Sequence, residues 1–477
     1  MAYKYGIREQ ITFLPDSIEK YVFDDDPVRA YDAFIDAINL QELGLEIDES
    51  CVGNSSYDPI TMLKVLVYGY SYGWRSSRKL ERALHHNLSF IWLSAGLKPD
   101  HKTLSNFRKN NKAVLKNVLK QCVRMCIKLD LIEGNILFVD GSKMRANAGN
   151  NQTISKSSLQ KLLNNLDVRI EALMNECQKI DQQETQSLVR MKKELKSKEN
   201  LKTKINELVK EIKDEKSINI TDPDCKIMKG RQGSHAAYNS QIAVDETHGL
   251  IVSVDAVQEV VDRDQLEQQI VQAEHNLGKT CEIVCADAGY SSVDALKPLV
   301  ESERTIIVPN DKQAQKKAFI ETPFDKDKFI YNTENNTYTC PEGKELYCSY
   351  QAKGSNKVVY RMKNYRNCLD CRHYGVCTSA KRGRTINRLV NEQTQHILKK
   401  TYESSQGQEI YRKRKMKVEL PFGHIKRNLG MSSFLLRGFE GVNAELSILG
   451  SCFNITRLIT ILGGVKPMVQ ALSNITH

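Results

Sequence analysis

The sequence predicts an α/β fold, in which a mixed sheet flanked by helices follows an all-helical N-terminal domain over residues 1–130. Apolar residues recur at helical spacing up to about residue 130. Short apolar runs typical of buried strands then alternate with helical segments between 136 and 309. The 477 residues, 40% hydrophobic and 27% charged, suffice for roughly two to four folded units with buried cores.

The N-terminal domain is predicted to consist of short helices separated by tight turns. The spacing of apolar residues predicts a helix over 27–45, and Asp58 and Pro59 are typical of the cap and first residue of the next helix. Further short helices are expected from residue 76 and over 101–109. The last is basic and polar, which is compatible with helix-turn-helix reading of DNA or with an ordinary helical bundle. Its residue types suited to phosphates or base edges are Lys102, Ser105, Asn106 and Arg108.

A second domain is expected over residues 131–464. Strands are predicted at 136–140, 281–287 and 305–309, with a β-hairpin over 238–257 and helices over 264–277 and 292–301. Two strands end in an acid, Asp140 and Asp287, each followed within two residues by glycine. Such a carboxylate is held rigidly and can face a cleft, although many acids in this position only cap the next turn.

Two insertions are predicted in this domain. Residues 155–216 carry a heptad seam from Leu159 to Ile180, broken by the polar stretch 181–187 and resumed to Ile212, which predicts a helical hairpin. Residues 325–390 form a Cys-rich insertion, and residues 465–477 are expected as a C-terminal tail. The weakly charged stretch Leu446–Gly464 is interpreted as a buried helix in preference to a membrane span, and the N-terminus lacks the pattern of a secretory signal.

Charge is strongly segregated along the chain, although the net charge is only +11. Residues 1–50 carry 4 basic and 12 acidic residues, residues 57–128 carry 14 and 3, and residues 372–427 carry 14 and 4. Clustered Lys and Arg are typical of proteins that bind a polyanion, because neutralising phosphates releases condensed counterions. The alternative is a pair of solvated helical faces. We expect DNA to contact the two basic blocks.

A third acid, Glu419, lies inside the second basic block. Three carboxylates on separate elements could hold one or two Mg²⁺ or Mn²⁺ ions, which in phosphodiester chemistry activate the attacking oxygen and stabilise the leaving one. Without metal, clustered carboxylates would repel one another. Spacing along the chain does not by itself bring Asp140, Asp287 and Glu419 together.

The 13 cysteines include five within 38 residues, namely Cys340, Cys348, Cys368, Cys371 and Cys377. The Cys368-x2-Cys371 pair is typical of a zinc knuckle, and Cys340 with Cys348 could complete a tetrahedral S₄ site. Free or redox-sensitive thiols are the alternative, and five thiols leave one surplus. The other eight cysteines are expected in the core.

These motifs, in this order, resemble the DDE transposases of bacterial insertion sequences. The resemblance covers nearly the whole chain, from the N-terminal helices to the block at 435–442. Its motifs are Phe138–Ala148, Tyr238–Asp245, Ala286–Tyr290, Val418–Lys426 and Leu435–Val442. It implies an RNase H-like catalytic core and a transposase that cleaves DNA at the terminal inverted repeats of its element and joins the ends to target DNA.

The resemblance also implies roles for individual residues. Asp140, Asp287 and Glu419 would be the metal-binding triad for Mg²⁺ or Mn²⁺, and Tyr411, Arg414 and Lys426, with the neighbouring Arg427, would contact transposon-end DNA. Four residues separate Arg414 from Glu419 where three are usual, so Lys415 occupies the expected Arg position. A homodimer on DNA in the bacterial cytoplasm is expected. A nuclease without strand transfer and an inactive transposase-derived DNA-binding protein are the alternatives.

Overall fold

The computed structural model describes residues 17–45, 57–179, 185–211, 217–230, 233–314, 323–351 and 357–476. The chain forms two compact units. The first comprises Met1–Asp262, Gln268–Cys281 and Lys415–His477, and the second comprises Arg263–Glu267 and Glu282–Arg414. The acidic segment 1–50 and the turn of the predicted helical hairpin lie partly outside the described residues.

The N-terminal part of the first unit is helical, as predicted. Asp58 accepts hydrogen bonds from the backbone N–H groups of Ile60 and Thr61, which fixes the start of the third helix. The single helix predicted over 27–45 is instead two helices, because Asn39 caps a new start. The helices are α1 Pro27–Asp36, α2 Leu40–Leu43, α3 Pro59–Ser71, α4 Ser77–His86, α5 Leu88–Leu93, α6 His101–Asn110 and α7 Lys112–Lys128; a 3-10 turn, Ile18–Tyr21, precedes them.

A sheet of antiparallel strands is the centre of the first unit. Its strands are β1 Ile136–Arg145, β4 Lys226–Gly230, β5 Gly233–Asp245 and β6 Ile251–Val257. The long strand β5 pairs with β1, β4 and β6, and its register sets Asp140 opposite Ile242. The helix α10, Leu266–Leu277, follows β6. The amides of Gln272 and Asn276 in α10 donate to carbonyl oxygens of β6.

The helix α16, Gly438–Ile461, is buried in the first unit, where it packs on α7, α3 and β6. Within the described part of the chain it is the one helix whose length and composition would allow it to cross a membrane. Because 72% of its apolar window is buried, it is a core helix, as predicted. The helix α17, Val465–Thr476, stands where a C-terminal tail is expected and packs against α1.

The insertion after β1 forms a helical hairpin, α8 Lys156–Lys179 and α9 Thr185–Glu211. A 3-10 turn, Asn150–Gln152, and the small ladder of β2 Thr153–Ser155 with β3 Ser217–Asn219 close its base. Buried residues of the predicted seam form its core, namely Leu159, Leu163, Leu166, Ile205 and Leu208. The side chain of Cys177 and the residues Ile180 and Ile212 lie outside what the structure describes.

The second unit contains two pieces of sheet. β7 Ile283–Cys285 and β8 Thr305–Ile307 are parallel. The 3-10 turn Ala288–Tyr290 and the helix α11 Val293–Glu301 connect them, and α14 Glu392–Glu403 packs on β8. β7, α11 and β8 complete the predicted chain order of strand, hairpin, helix, strand, helix and strand. The mixed α/β class with an all-helical N-terminal region is therefore confirmed.

The Cys-rich insertion forms the other sheet of the second unit. It has five antiparallel strands in the order β13-β12-β11-β10-β9, with β9 Ile330–Asn332, β10 Thr337–Thr339, β11 Glu345–Gln351, β12 Lys357–Arg361 and β13 Thr385–Leu389. The short elements around it are α12 Asp311–Ala314, the 3-10 turn Lys326–Lys328 and α13 Arg366–Leu369. The helix α15, Ser405–Arg427, begins in this unit and ends in the first.

Candidate active site and nucleic-acid surface

Asp140 lies half-buried in the middle of β1, which continues five residues beyond it, so the prediction that this strand ends at Asp140 is wrong. Side chains two residues apart on a strand share a face, so Asp140 and Ser142 project to the same side of the sheet. The Nζ of Lys426, near the end of α15, donates to the Oγ of Ser142 at 2.5 Å. The face of β1 that carries Asp140 is therefore the face that meets the end of α15.

The same stretch of α15 carries Glu419, which is exposed. Glu419 lies seven residues, two helical turns, before Lys426 and thus on the same side of the helix. A second hydrogen bond anchors this end of α15 within the first unit. The Nζ of Lys417 donates to the carbonyl oxygen of Thr247 at 3.1 Å. Val418, Phe422 and Ile425 are buried beneath it. The first unit thus presents Glu419 on a helix anchored to the strand of Asp140.

A polar network occupies the opposite face of β1. The Oδ1 of Asp262 accepts from Asn239 at 2.6 Å and from Gln241 at 2.7 Å, and lies 3.4 Å from the Nζ of Lys143. A Cβ at Gly141 would lie 2.5 Å from the amide nitrogen of Gln241 and 2.7 Å from the Oδ1 of Asp262, so a larger residue here would have to displace these side chains. Sequence reasoning missed Asp262. The signal in the sequence was the pair of polar residues at alternate positions of β5, Asn239 and Gln241, in a strand whose buried side chains should be apolar.

The loop between α15 and α16 is fixed by a buried ion pair that sequence reasoning also missed. The Oε1 of Glu445 accepts from Arg75 at 2.8 Å, and its Oε2 accepts from the backbone N–H groups of Leu435 at 2.7 Å and Leu436 at 3.1 Å. Arg75 also donates to carbonyl oxygens of the loop at Ser433 and Gly430. Both charged side chains are buried.

Two further acids position the start of α16. The Oδ1 of Asp222 accepts from the hydroxyl of Tyr238 at 2.8 Å and from the backbone N–H of Gly438 at 3.1 Å. The Oδ2 of Asp224 accepts from the N–H of Phe439 at 2.9 Å. Burial raises the pKa of Asp222, and the bond from Tyr238 opposes that rise. Carboxylates at a helix N-terminus satisfy N–H groups that have no partner within the helix.

The second unit holds Asp287 together with Tyr411 and Arg414. Asp287 is half-buried just beyond β7, and its Oδ1 accepts from the N–H of Gly289 at 2.8 Å. Burial raises the pKa of Tyr411, Arg414 opposes the rise, and the nearby charge of Asp287 adds to it. The guanidinium of Arg414 lies 5.5 Å from the centroid of the Tyr411 ring. Burial also raises the pKa of Cys285 in β7 to about 12, and Arg414 opposes this rise too.

The basic helix α6 carries the four predicted DNA contacts, and the structure corrects one of them. Lys102 and Asn106 are exposed, and Ser105 is half-buried. Arg108 is buried and donates to the carbonyl oxygen of Arg75 at 2.7 Å and to the hydroxyl of Tyr70 at 3.3 Å. Arg108 therefore supports the helical core and does not face a DNA surface. The neighbouring α4 exposes basic residues that sequence reasoning did not single out, namely Arg78, Lys79 and Arg82.

Four of the five clustered cysteines line one cavity in the second unit, namely Cys340, Cys368, Cys371 and Cys377. Cys348 is exposed on β11 and does not line it, so the predicted pairing of Cys340 with Cys348 is wrong. None of the cysteines that the structure describes is in a disulfide. Across the described ranges, no three His, Cys, Asp or Glu side chains are grouped closely enough to hold a metal ion as they stand.

Two protein-family models match the chain, one in its N-terminal part and one in its C-terminal part. Residues 16–110 match a transposase domain family (DUF772), and residues 339–459 match a transposase DDE domain family. Both matched segments are therefore similar to transposase domains, the second to the DDE domain. The first match covers α1–α6, and the second includes Glu419 and the clustered cysteines but neither Asp140 nor Asp287.

One solved structure is similar to this chain at low identity. It is the cryo-EM structure of a piggyBac transposase synaptic complex with hairpin DNA, with 10% identity, 95% of this chain covered, 79% of that chain covered and a TM-score of 0.32. At this TM-score the likeness supports no conclusion about this chain. No curated protein matches the sequence.

Proposed function

We propose that this transposase binds the terminal inverted repeats of its insertion sequence and catalyses metal-dependent DNA cleavage and strand transfer. The observation that carries the proposal is the contact between Lys426 and Ser142, which sets the helix of Glu419 on the face of β1 that bears Asp140. It joins two motifs of the DDE pattern within one folded unit. In cleavage, water would displace the 3′ oxygen at the element's end, and the freed 3′ hydroxyl would then displace a 3′ oxygen in target DNA.

Asp140, Asp287 and Glu419 are proposed as the ligands of Mg²⁺ or Mn²⁺. Their carboxylate oxygens are the donors these ions prefer, and each side chain is half-buried or exposed, so solvent and substrate can reach it. The metal would supply Lewis-acid activation of the attacking oxygen and stabilisation of the leaving one. The protein's own contribution is positioning, since β1 and the anchored end of α15 fix two of the three acids on rigid elements.

DNA is proposed to contact the two basic blocks. On α6 the exposed Lys102 and Asn106, with Ser105, would contact the duplex. Near the triad, the proposed phosphate contacts are Tyr411, Arg414, Lys426 and Arg427. A homodimer on DNA, acting in the bacterial cytoplasm at the nucleoid, completes the proposal.

The test is cleavage of a DNA fragment carrying the inverted repeats that flank the gene, in the presence of Mg²⁺. Asp140→Asn, Asp287→Asn and Glu419→Gln should each lower cleavage by roughly 10³-fold or more, because each removes several kcal/mol of transition-state stabilisation. End binding, measured by gel shift, should persist. Glu409→Gln is the matched control, since Glu409 lies on the same helix with its side chain 67% exposed.

The outcomes separate the candidate functions. Cleavage that survives any one of the three substitutions would contradict the triad. Cleavage without joined products would indicate a nuclease, and metal-independent binding without cleavage would indicate an inactive DNA-binding derivative.

A further inference from the structure

The Cys-rich sheet of the second unit contains an arrangement that transposition chemistry does not use. Four thiols from two separate stretches of chain, at residue 340 and over residues 368–377, line one small cavity of about 30 Å³. Cys340 lies at the turn between β10 and β11, Cys368 lies on α13, and Cys371 and Cys377 lie in the loop that leads to β13. The cavity is large enough for about one water-sized occupant.

Backbone N–H groups point at two of the sulfurs. The N–H of Lys344 donates to the Sγ of Cys340 at 3.4 Å, and the N–H of Arg384 donates to the Sγ of Cys368 at 3.4 Å. The turn around Cys340 is tight, with the N–H of Gly343 donating to the Cys340 carbonyl at 2.8 Å. Hydrogen bonds of this kind stabilise a thiolate, which is the form that binds a metal.

Positive charge beside the thiols acts in the same direction. The Nη1 of Arg384 donates to the carbonyl oxygen of Cys377 at 3.0 Å. The four cysteines line the same cavity, although among the described residues no three of them are grouped closely enough to hold a metal ion as they stand.

The remaining candidates for a ligand are less suitable. Cys348 is exposed and lies away from the cavity. His373 lines the cavity, but its Nε2 lies 3.0 Å from the Oε1 of Glu342, and its ring packs against Phe324. The four cysteines form an all-sulfur donor set of the kind that selects zinc.

We infer that Cys340, Cys368, Cys371 and Cys377 bind one structural zinc ion that fastens α13 and the following loop to the β10–β11 turn. The described core cluster of the five-stranded sheet is small, with five buried residues, Phe329, Tyr338, Leu346, Tyr360 and Ile386. A metal ion bound beside so small a cluster would add to its stability.

The experiment measures metal in the full-length protein, purified without chelator. We expect about one zinc per chain, its loss in Cys371→Ser and its retention in the matched control Cys348→Ser. Zinc retained by Cys371→Ser, lost from Cys348→Ser, or replaced by iron would overturn the inference.

A second measurement covers the case in which Cys371→Ser does not fold. The wild-type protein is alkylated before and after chelation, and each cysteine is quantified by peptide mass spectrometry. The four cavity cysteines should react several-fold faster after chelation, while Cys348 should react equally in both. No change at the four cysteines, or a disulfide between any two of them, would refute the zinc site. Neither readout depends on DNA cleavage, so the test is independent of the proposed function.

Discussion

Replacing Glu445 with alanine removes the acceptor that fixes the loop between α15 and α16. The side chain of Glu445 is fully buried, and it accepts from Arg75 and from the N–H groups of Leu435 and Leu436. The substitution leaves the Arg75 guanidinium buried beside an empty space and two backbone donors without their acceptor. Breaking a buried ion pair from one side costs about 3–5 kcal/mol.

Hydrogen exchange at the Leu435 and Leu436 amides is the most direct assay, because it reports the local opening free energy. A loss of about 3–5 kcal/mol corresponds to exchange that is roughly 10²–10³-fold faster or more. Glu440→Ala is the matched control on the same helix. Its carboxylate is 85% exposed and lies 3.6 Å from Lys112, a surface pair worth about 0–1 kcal/mol.

Glu445→Gln distinguishes charge from hydrogen bonding, since glutamine retains one acceptor oxygen. It should give an intermediate acceleration. If Glu445→Ala accelerated exchange no more than Glu440→Ala, the buried pair would not be what orders this loop.

Two further predictions concern pH and salt. Burial raises the pKa of Asp255, so its contribution to stability is full below the unfolded pKa of about 4 and is lost as the pH rises through the folded value. As the pH is raised from 4 to 8, the thermal midpoint of Asp255→Asn should therefore increase relative to that of the wild-type protein. A difference in thermal midpoint that stays constant over this range would contradict the prediction. Lys426→Ala should reduce the salt slope of end binding by about 0.9 for each phosphate that the side chain no longer neutralises, and Lys426→Arg should restore it. An unchanged slope, measured by titration at several salt concentrations, would exclude a phosphate contact.

The sequence alone determined most of the elements, because local signals dictate them. Asp58 followed by Pro59 is a strong local signal for a helix start, and the heptad seam of 155–216 favours burial of its leucines against another helix. The short apolar runs ending near Asp140 and Asp287 likewise indicated strands. Chain order and the DDE motifs then predicted the class of enzyme, which the family matches support.

Tertiary structure decided what each polar residue does, because the local spacing of residues does not determine whether a side chain is buried or which distant residue it contacts. Arg108 is a residue type that often contacts DNA. In the folded protein, however, its side chain is buried and donates to the carbonyl oxygen of Arg75 and the hydroxyl of Tyr70. Asp262 lies 119 residues along the chain from its partner Lys143, and no local sequence pattern predicts the contact between the two side chains.

The cysteines show the same division. Spacing predicted that Cys368 and Cys371 lie together, because residues so close in sequence must be close in space, and both line the cavity. Spacing suggested Cys348 as a companion, whereas the folded sheet places Cys340 and Cys377 at the cavity and leaves Cys348 exposed. Which side chains converge depends on strand pairing and turn geometry across tens of residues, and only the fold supplies that.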